Sequence, residues 1–229
     1  LETHHLSRRY GSLVALDDLN LKVEAGECFG FIGPNGAGKT TTIKILATLL
    51  KPSSGEARVC GFTVGWQNTH IRPLIGYVPD FLGAYDDMLV REYLQFFASC
   101  YGITGSRRTQ VVDDALSLTD LGGKAEAPIS GLSRGMSQRL AVARVLLHDP
   151  EVLLLDEPAS GLDPRARVEM RELLRTLRDL GKTILISSHI LHELAELCTS
   201  VGILERGKLV FAGSVQSALD AARSGTRLE

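Results

Sequence analysis

Two periods of apolar spacing run through this chain. Leu19, Leu21 and Val23 are separated by Asn20 and Lys22, the two-residue period of a strand. Ala25-Gly26 reads as a turn, and residues 27–33, Glu-Cys-Phe-Gly-Phe-Ile-Gly, as a buried strand opening into a glycine-rich loop. Ile43, Leu46, Ala47 and Leu50 recur at i, i+3, i+4 and i+7, one face of a helix that Pro52 and Gly55 stop. Residues 56–66 read as a strand region ending near Trp66. Over 86–148 the period is mainly helical. Leu89, Tyr93, Phe96 and Phe97 mark one apolar face, and Met136, Leu140, Ala143 and Leu147 another. The continuous apolar run 152–155 suits a parallel strand covered on both sides. A helix over 164–180, a strand over 183–187 and a helix through Leu191, Leu194 and Leu197 follow. Residues 201–205 and 208–212 form a hairpin around Arg206-Gly207.

Strand and helix alternate at both ends of the chain, so the pattern predicts an α/β fold with a mostly parallel sheet and covering helices. A small antiparallel β subdomain is expected at the N-terminus and an inserted α-helical subdomain at about 86–148. The whole of 1–229 reads as a single domain, its core built from about 1–85 and 149–229.

Composition narrows the function. The 25 Lys and Arg against 27 Asp and Glu give a net charge of −2, so no broad basic surface points to nucleic acid, and none is expected as a partner. No charge-free apolar run approaches the ~20 residues of a membrane span. Cys28, Cys60, Cys100 and Cys198 lack CxxC spacing, which argues against a disulfide framework or zinc site and for reduced, buried thiols. Leu-Glu stands at both ends without an initiator Met, so both ends are read as cloning scars on an excised domain, with a longer natural protein as the expectation.

Residues 33–40 read Gly-Pro-Asn-Gly-Ala-Gly-Lys-Thr. This fits GxxxxGK[ST] between a predicted strand and a predicted helix, the context the motif requires. Glycines let backbone N–H groups wrap phosphate oxygens, and the helix N-terminus adds partial positive charge. Lys39 can reach the β- and γ-phosphates, and Thr40 can place its hydroxyl on Mg²⁺. Downstream, the buried run 152–155 delivers Asp156 and Glu157 at its C-terminal end, where open α/β sheets bind ligands, and Pro158 ends the strand. Asp156 is the expected Mg²⁺ ligand and Glu157 the general base for an attacking water.

With these motifs in place, the chain resembles the nucleotide-binding domain of an ABC transporter over about residues 5–220. Leu132-Ser133-Arg134-Gly135-Met136, followed by Ser137-Gln138-Arg139, is similar to the ABC signature. Ser160-Gly161-Leu162-Asp163 is similar to the D-loop, and His189 to the switch histidine. The resemblance implies ATP and Mg²⁺ as ligands, with Gly33, Pro34, Asn35, Gly36, Ala37, Gly38, Lys39, Thr40 and Thr41 around the phosphates. Tyr10 would stack on adenine. Ser133 and Gly135 would grip the γ-phosphate of ATP held by a second such domain, and Asp163 would connect the two sites. Asp80 would reach Mg²⁺ and relay to a transmembrane permease, placing the domain on the cytoplasmic face of the membrane. Each residue keeps a plainer alternative: Ser133 as a helix cap, His189 as a structural histidine at a strand end, Tyr10 as a surface tyrosine.

Three positions in two motifs depart from the family pattern. Asp80 stands where Gln is usual, and Arg134 and Met136 where many members have Gly and Gln. With Tyr85-Asp86-Asp87 and the 160–164 segment, the altered signature resembles ATPases of the ABC-2 exporter type. Import, or a non-transport ABC ATPase acting on nucleic acid or ribosomes, is the alternative. The stretch between the phosphate loop and Asp156 is too short for the long coiled coils of the latter.

Overall fold

The computed structural model describes residues 1–80, 83 and 87–224, with side chains to residue 220. Tyr85 and Asp86 of the exporter-like tract lie outside the described residues. In chain order the elements are β1 (Glu2–Tyr10), β2 (Leu13–Lys22), β3 (Cys28–Ile32), α1 (Lys39–Leu46), β4 (Ser54–Val59), β5 (Phe62–Thr63), α2 (Asn68–Ile71) and β6 (Ile75–Val78). Then come α3 (Val90–Cys100), α4 (Gly105–Leu118), α5 (Arg134–Leu146), β7 (Val152–Asp156), α6 (Pro164–Asp179) and β8 (Thr183–Ser188). The chain continues through α7 (Leu191–Ala195), β9 (Ser200–Glu205), β10 (Lys208–Ser214) and α8 (Val215–Ser224).

Six strands form the central sheet in the order β10-β9-β3-β8-β7-β6. All its pairings are parallel except β9–β10 at one edge. A second, antiparallel sheet runs β2-β1-β4-β5. Period-2 alternation gives the central sheet two apolar faces. Leu153, Leu155, Ile184 and Ile186 pack with residues of α3 to α8, including Tyr93, Leu116, Leu140 and Met170. Val152, Leu154, Leu185 and Phe31 face the opposite way, onto α1 and the antiparallel sheet. Strands covered on both sides have no room for a polar alternate position, and β3, β7 and β8 are buried at every residue.

Several expectations need correction. The helix after the phosphate loop ends at Leu46, and Ala47 to Leu50 form a turn in which Thr48 has positive φ. Ala47 is nevertheless buried, so its apolar character marked the core and not the helix. The 56–66 region is two strands, β4 and β5, reversed at Cys60-Gly61, and Trp66 beyond them is 89% exposed. The buried face of α3 is Val90, Tyr93, Leu94 and Ala98; Phe96 is 46% exposed. Leu197 is buried but lies past the end of α7. Two of the four free cysteines, Cys60 and Cys100, are exposed. Cys28 and Cys198 are buried with their sulfurs 3.5 Å apart, a contact that with burial holds the Cys198 thiol far above its ordinary range. Among the described residues no helix is long and apolar enough to cross a membrane.

Candidate nucleotide site

β3 ends at Ile32, and the 33–38 loop carries the chain into α1. Gly38 has φ +110°, and a Cβ there would fall 2.7 Å from Leu16 Cδ2 and 2.9 Å from the Ala15 carbonyl oxygen. Only glycine satisfies both the backbone angle and that close approach. The loop is braced from outside: the Gly207 N–H, in the β9–β10 turn, donates to the Ala37 carbonyl at 3.0 Å. The Gly207 carbonyl in turn accepts from the Asp17 N–H at 2.9 Å. Pro34, Asn35 and Gly36 are exposed at the loop's rim, while Gly33, Ala37 and Gly38 are buried. Thr41, half-buried, follows in the first turn of α1.

Lys39 is 4% exposed, and its ammonium donates to the Gly33 carbonyl at 2.7 Å and the Pro34 carbonyl at 3.3 Å. The same Nζ lies 3.2 Å from Glu157 Oε1. Glu157 Oε2 is 3.1 Å from His189 Nδ1. One carboxylate thus links the phosphate-loop lysine to the histidine after β8. Asp156, also 4% exposed, accepts at Oδ1 from Thr40 Oγ1 at 3.1 Å and Ser187 Oγ at 2.8 Å. Ser187 Oγ further accepts from the Glu157 N–H at 3.0 Å. That contact helps hold Glu157 at φ +49°, a left-handed conformation that carries strain for a residue with a Cβ. Tyr77 sits beside this cluster, its phenol pushed up to about 12 by burial and by the Asp156 charge.

The other expected residues lie elsewhere. Ser133 is the N-cap of α5, its Oγ accepting from the Met136 N–H at 3.3 Å. Asp163 caps α6, accepting from the Ala166 N–H at 2.9 Å. Gly135 joins the two helix starts: a Cβ there would come within 2.6 Å of Ala166 Cβ. Among the described residues, no hydrogen bond or ion pair connects Ser133, Gly135 or Asp163 to the phosphate loop of their own chain. Asp80 follows β6; its side chain is 57% exposed, and its backbone carbonyl accepts from Gln138 Nε2 at 2.6 Å. Tyr10, at the end of β1, is 44% exposed, with the Arg8 guanidinium 4.7 Å from its ring centroid.

Sequence reasoning passed over three residues that shape this site. Ser187 supports both acids, and the signal was available in the Ser187-Ser188-His189 run at a buried strand's end. Gln138 is buried inside the signature helix, where a polar residue needs a reason. Gly207 braces the loop from far along the chain, with no local signal beyond its turn.

A glycine-rich loop between a parallel strand and a helix, facing two acids at the end of β7, two strands away in the same sheet, defines a P-loop nucleotide-binding ATPase. A family model described as ABC transporter matches residues 16–160. The Nod factor export ATP-binding protein I of Burkholderia pseudomallei (strain 1710b) is 40% identical over 221 residues, 96% of this chain and 73% of that protein. Among solved structures, cbiO1 from Clostridium perfringens, part of the ABC transporter complex cbiONQ, superposes with a TM-score of 0.89 at 28% identity. It covers 97% of this chain and 91% of its own. An ATP-binding subunit of an ABC transporter gives a TM-score of 0.84 at 29% identity over 99% and 93%. The chain belongs to the ABC transporter family, as an ATP-binding ATPase domain.

Proposed function

We propose that this domain binds and hydrolyses ATP to power export through a transmembrane permease, working on the cytoplasmic face of the membrane as one of a pair. The observation that carries the catalytic part is the continuous polar chain Lys39–Glu157–His189, packed beside Asp156 with Thr40 and Ser187 on one of its oxygens. Export is supported by the relatives named for Nod factor export. The single-domain reading, with the helical part at about 86–148 as an inserted subdomain, goes with this proposal.

The roles follow from donor and acceptor chemistry. Backbone N–H groups of 33–40, with Lys39, receive the phosphates, and Tyr10 receives the base. Thr40 and Asp156 offer hard oxygen donors, the set that suits Mg²⁺ shared with substrate phosphates, and Asp80 is the further oxygen that would reach it. Bound there, Mg²⁺ neutralises charge on the phosphates. Glu157 takes the proton of the attacking water, whose oxygen bonds to the γ-phosphorus as the bond to the β–γ bridging oxygen breaks and ADP leaves. His189 holds Glu157 in place from the other side. Ser133 and Gly135 point their helix start at the γ-phosphate of a second copy or a homologous partner, and Asp163 ties the two sites together.

Glu157→Gln keeps size and removes the base. Steady-state phosphate release should fall by roughly 10²–10⁴-fold, with ATP binding retained. Turnover near that of the parent would sink the general-base assignment.

A further inference from the structure

We propose that Arg134 is a positioning residue that, together with Gln138, locks Asp80, just past β6, and the 160–163 turn to the start of α5, so that the three move as one body. The two are one helical turn apart on α5 and both reach Asp80. Gln138, 3% exposed, donates from Nε2 to the Asp80 backbone carbonyl at 2.6 Å. Arg134 Nη2 lies 3.8 Å from the Asp80 carboxylate. The backbone contact is part-buried and short, which sets where the Asp80 backbone sits. The ion pair is exposed at both ends and sets which way the side chain points.

The same guanidinium also meets the turn before α6. A Cβ on Gly161 would fall 2.6 Å from Arg134 Nη1 and 2.7 Å from its Cζ, so the planar group lies flat against that glycine. Gly161 has φ +66° and precedes the Asp163 cap of α6. Gly135, the next residue after Arg134, packs against Ala166 in the same α6 start. One side chain therefore touches both the segment after β6 and the segment after β7. The unusual residues at 80 and 134 are thereby a matched pair: an aspartate at 80 gives Arg134 its charge partner, and a glycine at 134 would touch neither Asp80 nor the 160–163 turn. An arginine suits this position because its planar fork can face a carboxylate and lie on a peptide at once, which a lysine ammonium cannot.

Its functional consequence rests on the paired-ATPase reading above. If Ser133 and Gly135 face a partner's ATP, the lock carries a displacement of that helix start to Asp80 and to Asp163.

Amide hydrogen exchange on the nucleotide-free chain tests the lock without needing any dimer. Arg134→Gln should speed exchange by about two- to five-fold at Val78 and Asp80 and also at Gly161 and Leu162, the range of an exposed ion pair. Asp80→Asn should speed the first segment similarly, and the double variant should go no further there than either single. Arg134→Lys should restore protection near Asp80 but not at Gly161. Multiplying effects in the double variant, or an Arg134→Gln effect confined to one segment, would overturn the proposal. In the Glu157→Gln background, Arg134→Gln should also raise the Mg-ATP concentration for half-maximal dimer formation by a few-fold while leaving ATP affinity of the single chain within two-fold. Failure of the parent itself to dimerise would count against the paired-ATPase reading, while the exchange results still decide the lock.

Discussion

Ser133 caps its own helix, and the proposed function asks the same hydroxyl to meet a partner's phosphate. Two substitutions separate these roles. Ser133→Ala removes the Oγ that accepts from the Met136 N–H, at a cost of about 1 kcal/mol. In a chain of this size that lowers Tm by about 2–4 °C. Ser133→Asp keeps an oxygen for the cap and puts a negative charge at a helix N-terminus, where it is favourable, so stability should stay within about 0.5 kcal/mol of the parent. The aspartate would nevertheless face an incoming γ-phosphate. Two unit charges about 4 Å apart near a protein surface repel by about 4 kcal/mol, roughly a thousand-fold in an equilibrium constant. The assay is thermal unfolding alongside Mg-ATP-dependent dimer formation, with all variants carrying Glu157→Gln. Ser133→Asp should melt like its parent and fail to dimerise. Normal dimerisation by the stable Ser133→Asp chain would refute the phosphate contact and leave Ser133 a helix cap alone.

Other outcomes follow from the same geometry. Gly135→Ala forces a Cβ to within 2.6 Å of Ala166, so thermal or urea unfolding should show a loss of about 1–3 kcal/mol from overpacking. Gly38→Ala meets both a left-handed backbone angle and the Ala15 carbonyl; ATP binding by titration calorimetry should weaken by at least ten-fold, and parent-like affinity would show that the loop reshapes freely. His148 stacks on Tyr101 and donates from Nε2 to the Ile75 carbonyl, and burial holds its pKa below the ordinary 6.5. Its contribution is therefore fully present above pH 6.5 and is lost as pH falls below that value, through the lower folded-state pKa. Urea unfolding at stepped pH should show this slope, and His148→Gln should flatten it.

How much of this was legible depended on range in sequence. The phosphate loop, the β7 acids and their strands are local patterns of a few residues, and each sits in the structure where its period places it. The face of α3 was misjudged because Phe96 is apolar yet exposed, while Val90 and Leu94 line the core; hydrophobicity identifies candidates for burial, and packing chooses among them. β1 went unidentified because His4, His5, Arg8 and Arg9 interrupt its apolar period; its strand form comes from pairing with β2 and β4. Ser187 and Gly207 reach the site through sheet register and a distant turn, pairings that no local window contains. Asp80 and Arg134 were visible separately as unusual residues. Their pairing appears only once α5 is laid beside β6.

The most direct test of the account is the solution mass of Glu157→Gln with and without Mg-ATP. A shift from one chain mass to two on adding Mg-ATP is the predicted result, with ATP held between one phosphate loop and the other copy's α5 start. A chain that saturates with Mg-ATP and stays at one chain mass would contradict it.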